Sequence, residues 1–191
     1  MPLILASTSP IRLHLLHQAG IEALAIAPPI DEDRVKQDHK DAPGLALRLA
    51  EAKALSLDLP GDLVIGSDST LSVDGRSFSK PIDRAEAARH LEHFSGRRMI
   101  LSSAVALARD GVIEWSHVDQ ATLTVRVLSA GFIESYLAAE WPAVAYCVGV
   151  FRMEGRGATL FEAVEGSHFT ILGLPLLPLL GALRERGVMA A

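Results

Sequence analysis

Cysteine is almost absent: Cys147 stands alone in a chain of 191 residues. One thiol excludes an internal disulfide framework and a cysteine-based zinc site. A chain of this length buries about 70% of the surface its unfolded form exposes, so burial can stabilise it without such staples. An excess of basic charge is missing too, with 18 Lys and Arg against 23 Asp and Glu and a net charge of -5. That balance argues against a broad nucleic-acid platform, and any anion has to be bound locally. No run is long enough for a membrane span; the greasiest stretch, Ile171 to Leu183, is broken by Pro175 and Pro178. The opening Met-Pro-Leu-Ile-Leu-Ala-Ser lacks the basic flank and apolar length of a signal peptide. The expectation is a soluble, cytoplasmic protein without a membrane partner. No GxxxxGK[ST] loop, GxGxxG fingerprint or GxSxG elbow occurs, which removes three motif-based readings.

What is present is ordinary globular composition, 49% hydrophobic and 21% charged, with no internal repeat and no linker that forces a boundary. One domain over 1–191 is expected. Leu3 to Ala6 is an apolar run ending in Ser7, Thr8, Ser9 and Pro10, which predicts a buried strand feeding a helix that Gly20 stops. Asp31 to Asp41 lacks periodicity and predicts a polar loop, after which Pro43 opens a second helix through Leu57. Within that helix Leu45, Leu47, Leu49 and Leu55 read as core. Leu63 to Gly66 predicts a strand that ends in Ser67, Asp68 and Ser69. Asp74-Gly75 and Asp110-Gly111 read as hairpin turns, the second between strands at Met99 to Ala108 and Val112 to Val118. Asp83 and Ser129 predict caps of helices ending near Phe94 and Ala139. Val144 to Met153 and Thr159 to Val164 read as strands, and Leu176 to Arg186 as a closing helix. The class is α/β, a mixed sheet flanked by helices.

The first helix has no acidic residue, yet Arg12 stands in its first turn, where the macrodipole disfavours a cation. Free N–H groups at the helix start and the hydroxyls of Ser7, Thr8 and Ser9 suit a phosphate that would compensate; a capped helix with a solvated arginine is the plainer alternative. At about 100° per residue Lys53 falls inside the apolar arc of Leu49, Ala50 and Leu57, so it faces inward or snorkels to an edge. Asp68 follows an apolar strand, where α/β proteins commonly bind ligands, though it could be a turn residue. Glu32, in Ile30-Asp31-Glu32-Asp33, adds oxygen donors suited to Mg²⁺ or Mn²⁺, unless that run is a solvated acidic loop. Lys80 alone says no more than any loop lysine. The pairs His14/His17 and His90/His93 lack a nearby third ligand and read as surface or packing residues.

Together these segments resemble the Maf family of nucleoside triphosphate pyrophosphatases. LASTSPIR resembles the family's LASxSPRR, IDE at 30–32 its VDE, AEAKA at 50–54 its AxxKA, GSD at 66–68 its GAD, and SKP at 79–81 its GKP. EGRGATLFEAVEG at 154–166 and LGLPL at 172–176 follow in the family's order. The resemblance implies two lobes around a deep nucleotide-binding cleft, as in inosine triphosphate pyrophosphatases, and a homodimer. It implies cleavage of a nucleoside triphosphate between the α- and β-phosphates with a divalent metal, Mg²⁺, Mn²⁺ or Co²⁺. By motif position Asp68 matches the general base, Ser7, Arg12, Lys53 and Lys80 the phosphate contacts, and Glu32 with Asp68 the metal's surroundings. Glu154 is similar to the branch acting on 7-methyl-GTP, where the pyrimidine branch has glutamine. Ile11 stands for that motif's arginine or tryptophan and Ser69 for its threonine or glutamine, both at positions tied to base choice. Ser79 replaces a glycine, and Ser103-Ala104 replaces a Thr-Gly. The alternative the family offers is a nucleotide-sensing or partner-binding regulator of septum formation with little turnover.

Overall fold

All four residues of the first strand, β1 (Leu3–Ala6), are buried. An unbroken apolar run is what a parallel strand covered on both faces requires. In the computed structural model, which describes residues 3–37 and 41–190, β1 pairs in parallel with β2 (Ala23–Ile26) and with β3 (Leu63–Val73). Between them lie the helices α1 (Pro10–Gln18), α2 (Glu32–Gln37) and α3 (Ala42–Leu55). Then come β4 (Arg76–Phe78), α4 (Arg84–Phe94), β5 (Arg98–Arg109), β6 (Val112–Val125), α5 (Ala130–Glu140), β7 (Phe161–Glu165), α6 (His168–Ile171) and α7 (Leu176–Glu185). The strands form one seven-stranded sheet in the order β2-β1-β3-β5-β6-β7, with β4 pairing antiparallel on β3. β7 is antiparallel to β6. The mixed α/β sheet expected from the sequence is therefore present.

Both predicted hairpin turns form, with Asp74, Gly75, Asp110 and Gly111 all at positive φ, as a two-residue turn matched to strand twist demands. Asp83 accepts the Glu86 N–H at 2.7 Å and Ser129 the Phe132 N–H at 3.2 Å, so the predicted caps of α4 and α5 are made.

Five segments differ from expectation. Asp31 to Asp41 is not all loop. The Asp31 carboxylate accepts the N–H groups of Asp33 and Arg34, acidic residues fill the first turn of α2 and basic ones its last, so caps and dipole rather than apolar periodicity hold that helix. Residues 38–40 lie outside the described residues. The leucines of α3 are core only in part: Leu49 is buried and Leu47 packs partly buried on the alanine face, but Leu55 is 43% exposed, because leucines two apart are about 200° apart on a helix and cannot all share one face. The buried face is Ala46, Leu49, Ala50, Lys53 and Ala54. β3 does not stop at Gly66, and β6 runs on to Val125. Finally, 144–153 is not a strand. It holds a 3-10 turn, Ala143–Tyr146, and then Val150 at φ 57, whose carbonyl accepts the Tyr136 hydroxyl at 2.9 Å. Val144, Val150 and Phe151 are buried, so the run is apolar for burial and not for strand pairing.

The chain divides into two compact units. One takes the chain up to Ser69, Ser102–Gln120 and the chain from Ser167; the other takes Thr70–Leu101 and Ala121–Gly166. In the first, alternation along β5 sends its side chains to two faces. Val105 and Leu107 join Leu15, Leu16, Leu179 and Leu183 of α1 and α7, while Ala104, Ala106 and Ala108 meet Ala46, Ala50 and Ala54 of α3. In the second unit the Phe78 and Phe94 rings meet edge to face at 4.8 Å beside α4, and α4 packs against α5.

Candidate active site

The site begins with a missing side chain. A Cβ on Gly66 would sit 2.0 Å from the Ala50 carbonyl oxygen and 2.5 Å from the Ala54 nitrogen, so only glycine lets α3 lie this close to β3. That approach carries Lys53 to Asp68. The Lys53 Nζ donates to Asp68 Oδ1 at 2.5 Å and meets Glu32 Oε1 of α2 at 2.9 Å. The lysine side chain is 8% exposed, Asp68 13% and Glu32 37%. Lys53 thus faces inward and its ammonium ends on two carboxylates, which is not snorkelling. A buried ammonium with two carboxylate partners is compensated; with either removed, desolvation is opposed by the other alone.

Asp68 lies within β3, not after it. The parallel pairing with β1 ends at Ala6 and Gly66, so Asp68 stands just past the carboxyl end of β1 while its own strand runs on toward β4. The general rule that ligands of α/β sheets sit at the carboxyl ends of parallel strands still describes the place.

Arg12 is more occupied than its sequence position suggested. Its Nε donates to the Gly173 carbonyl at 2.8 Å, Nη1 to the Ser67 carbonyl at 2.9 Å and to Ser7 Oγ at 3.3 Å, and Nη2 to Ser69 Oγ at 3.1 Å. Burial lowers the guanidinium below its usual value, and the charges of Asp68 and Glu32 act against that. The negative partner that the first turn of α1 called for is therefore in part the protein's own. A guanidinium has five N–H donors, and one on Nη2 is left over from these contacts. Ser7 is buried and its Oγ accepts from both Arg12 and the Ser9 N–H, which leaves its own proton to donate. Ser9 makes no side-chain cap, so the N–H groups opening α1 are not taken by it. Ile11, next in that turn, is half-buried.

Ser67, Ser103, Thr170 and Gly173 were not singled out from sequence as site residues. Ser67 and Gly173 stand inside the GSD and LGLPL strings and Ser103 at the Thr-Gly position, but no sequence signal joins them, because what does is contact between segments more than 30 residues apart. Lys80 and Glu154 belong to the second unit and both are exposed, Glu154 in a turn before Gly155. Within that unit Arg152 donates to the buried Glu140 at 2.8 Å. Burial, with the charge of Glu154, pushes the Cys147 thiol up to about 11. Of the histidine pairs, His90 and His93 pack against Phe78 and Phe94, while His14 and His17 are exposed. Among the described residues no three His, Cys, Asp or Glu side chains group to hold a metal ion. None of the helices formed by those residues is long and apolar enough to cross a membrane.

Comparison with known proteins gives the family and the fold. The profile of the family described as Maf-like protein matches residues 2–186. The chain is 47% identical to a 7-methyl-GTP pyrophosphatase of Rhizobium meliloti, over 99% of this chain and 98% of that one. It is also 47% identical to a nucleoside triphosphate pyrophosphatase of Nitrobacter hamburgensis, over 99% of this chain and 96% of the relative. Among solved structures, the Ham1 protein of Staphylococcus aureus superposes with a TM-score of 0.52 at 16% identity, over 98% of this chain and all of that one, a likeness of fold alone.

Proposed function

Since the chain belongs to the Maf-like protein family, we propose that it hydrolyses a nucleoside triphosphate to the monophosphate and pyrophosphate, with 7-methyl-GTP as the preferred substrate. The observation that carries the reading is the Lys53 ammonium held between Asp68 and Glu32 beside Arg12, at the carboxyl end of the parallel strands. Attack on an α-phosphate needs neutralised charge and a water placed opposite the pyrophosphate leaving group. Asp68, with Oδ1 held by Lys53, takes the water's proton on Oδ2. Lys53, the last Nη2 hydrogen of Arg12 and the Ser7 hydroxyl receive phosphate oxygens, where developing charge is greatest. Lys80 is a further phosphate contact, assigned through the SKP motif.

The carboxylates also fit a divalent cation. Two of them already share one cation in the ammonium of Lys53, and Mg²⁺ or Mn²⁺ arriving with a nucleotide needs only one or two carboxylates when phosphate and water complete its shell. Glu32 and Asp68 would hold Mg²⁺, Mn²⁺ or Co²⁺. Such an ion neutralises phosphate charge when bound.

Base choice rests on Glu154. An ionised carboxylate only accepts hydrogen bonds, and guanine offers it two adjacent donors, N1–H and N2–H, while uracil and thymine flank one donor with carbonyls. Methylation at N7 adds positive charge to the ring and strengthens that pairing. Ile11, a small side chain in place of an arginine or tryptophan, leaves room for a purine. Ser69 is the other position tied to base choice by the motif, and its hydroxyl already accepts from Arg12. The reading includes a homodimer in the cytoplasm acting on a free nucleotide and not on nucleic acid, which a net charge of -5 favours.

Pyrophosphate release across natural and modified triphosphates with Mg²⁺, Mn²⁺ and Co²⁺ tests the reaction. Pyrophosphate as first product with 7-methyl-GTP ranked first is expected. Orthophosphate as first product means γ-cleavage and overturns it. Sedimentation velocity tests the dimer, and a monomer at micromolar concentration overturns that part.

A further inference from the structure

Arg12 is held by a line of hydroxyls whose direction is determined by its far end. The Ser103 hydroxyl meets the Thr170 carbonyl at 2.8 Å, and a carbonyl can only accept, so the one Ser103 hydrogen is spent there. Ser103 and Ser69 are 2.8 Å apart, oxygen to oxygen. Ser69 must therefore donate to Ser103, and its own oxygen receives Arg12 Nη2 at 3.1 Å. The far end is itself tied down, because Thr170 Oγ1 donates to Asp119 Oδ2 at 2.7 Å. Ser103 and Thr170 are wholly buried, so neither exchanges these partners for water. Every proton along the line from Arg12 through Ser69 and Ser103 to Thr170 has one place to go.

From this, and resting on the phosphate role proposed above for Arg12, we infer that Ser103 and Ser69 are positioning residues that lock the Arg12 guanidinium in plane and aim its free Nη2 hydrogen at the substrate. The two oxygen acceptors on the other side, the carbonyls of Gly173 and Ser67, fix Nε and Nη1. The guanidinium is one rigid plane, so these carbonyls and Ser7 Oγ on Nη1 hold it from two sides, and Ser69 completes the set at Nη2. A Cβ on Gly173 would lie 3.2 Å from Ser69 Oγ and 3.4 Å from Arg12 Nη2, which shows how closely the chain is drawn around this end of the guanidinium. Ser103 acts through Ser69 and Arg12, with its hydrogen and its oxygen both committed inside the protein.

The test combines a turnover cycle with a measurement that needs no turnover. Pyrophosphate release from 7-methyl-GTP is compared in the wild type, Ser103→Ala, Arg12→Ala and the double variant, with Ser69→Ala as a second single variant should Ser103→Ala fail to fold. One hydrogen bond in a positioning line is worth about three- to tenfold. Ser103→Ala should lower kcat by that factor with little change in KM, Ser103→Thr should recover most of it, and the loss should vanish when Arg12 is already alanine. In parallel, NMR of the Arg12 guanidinium, assigned by its loss in Arg12→Ala, should show slow rotation about the Nε–Cζ axis and slow proton exchange in the wild type. Both should quicken in Ser103→Ala and Ser69→Ala. An equal kcat loss in the Arg12→Ala background, or an Arg12 signal unmoved by either serine variant, overturns the inference. A wild type that hydrolyses no triphosphate, with the Arg12 signal still quickening, overturns the functional reading and leaves the anchoring intact.

Discussion

Lys53 holds two carboxylates with one ammonium, so its removal acts on stability and on chemistry together. Lys53→Ala leaves Asp68 and Glu32 facing each other. A wholly buried pair loses 3–5 kcal/mol in such a variant, and with Glu32 partly in solvent about 1–3 kcal/mol is expected, read as a drop in the urea midpoint. An unchanged midpoint would mean the pair carries no stability. Asp68→Asn keeps the shape and loses the charge; turnover should fall at least about 100-fold while nucleotide binding and fold survive. Near-normal kcat in that variant moves the base role to another group, Glu32 first. For Glu154→Gln the preference for 7-methyl-GTP over UTP should fall about ten- to a hundredfold, the worth of a hydrogen bond to a charged group. An unchanged ranking in kcat/KM removes Glu154 from base reading.

At the scale of elements, the contact between α3 and β3 decides whether a site exists. Three alanines on one face of the helix meet three on β5, and Gly66 stands under the helix backbone. The side chains that meet across this contact are alanines, so the backbones approach and Lys53, one turn along from Ala50, reaches Asp68. In Gly66→Ala the new methyl would overlap backbone atoms, which cannot rotate away, and the helix has to lift. Overpacking of that kind costs about 1–3 kcal/mol, and here it should also lower kcat, since the lysine moves away from the carboxylate. A Gly66→Ala protein with wild-type melting temperature and turnover would show that this approach is not what assembles the site.

Across the whole molecule, alkaline stability reports two weak acids of the second unit, the half-buried Cys147 and the buried Tyr136. Burial raises the Cys147 thiol from 9.0 to about 11, and raises the Tyr136 hydroxyl as well. Between those values the folded state keeps a proton that the unfolded chain releases, so the unfolded state binds fewer protons and stability falls as pH rises. The contribution of Cys147 is intact below about pH 9 and lost by about pH 11. The urea midpoint should therefore drop on going from pH 8.5 to 10.5, less steeply in Cys147→Ser; parallel slopes would show that the thiol is not the cause. Because the thiolate is the nucleophile, Cys147 should also label slowly at neutral pH, faster only as pH approaches 11.

Sequence alone determined most of the elements and the identity of the charged groups. Turn pairs such as Asp110-Gly111 and caps such as Asp83 and Ser129 act through atoms a few residues away, so their outcome can be read locally. Where local signals were ambiguous the reading failed: 144–153 is apolar because it is buried, and α2 is capped rather than amphipathic. Helical spacing turned Lys53 inward, and the motif order gave the family. Only the tertiary structure decided what Lys53 and Arg12 touch. Arg12 and Gly173 are 161 residues apart, and Ser103 meets Thr170 across 67. No periodicity encodes such a contact, because it exists only once α1, β3, β5 and the turn after α6 have packed and buried donors and acceptors must find one another.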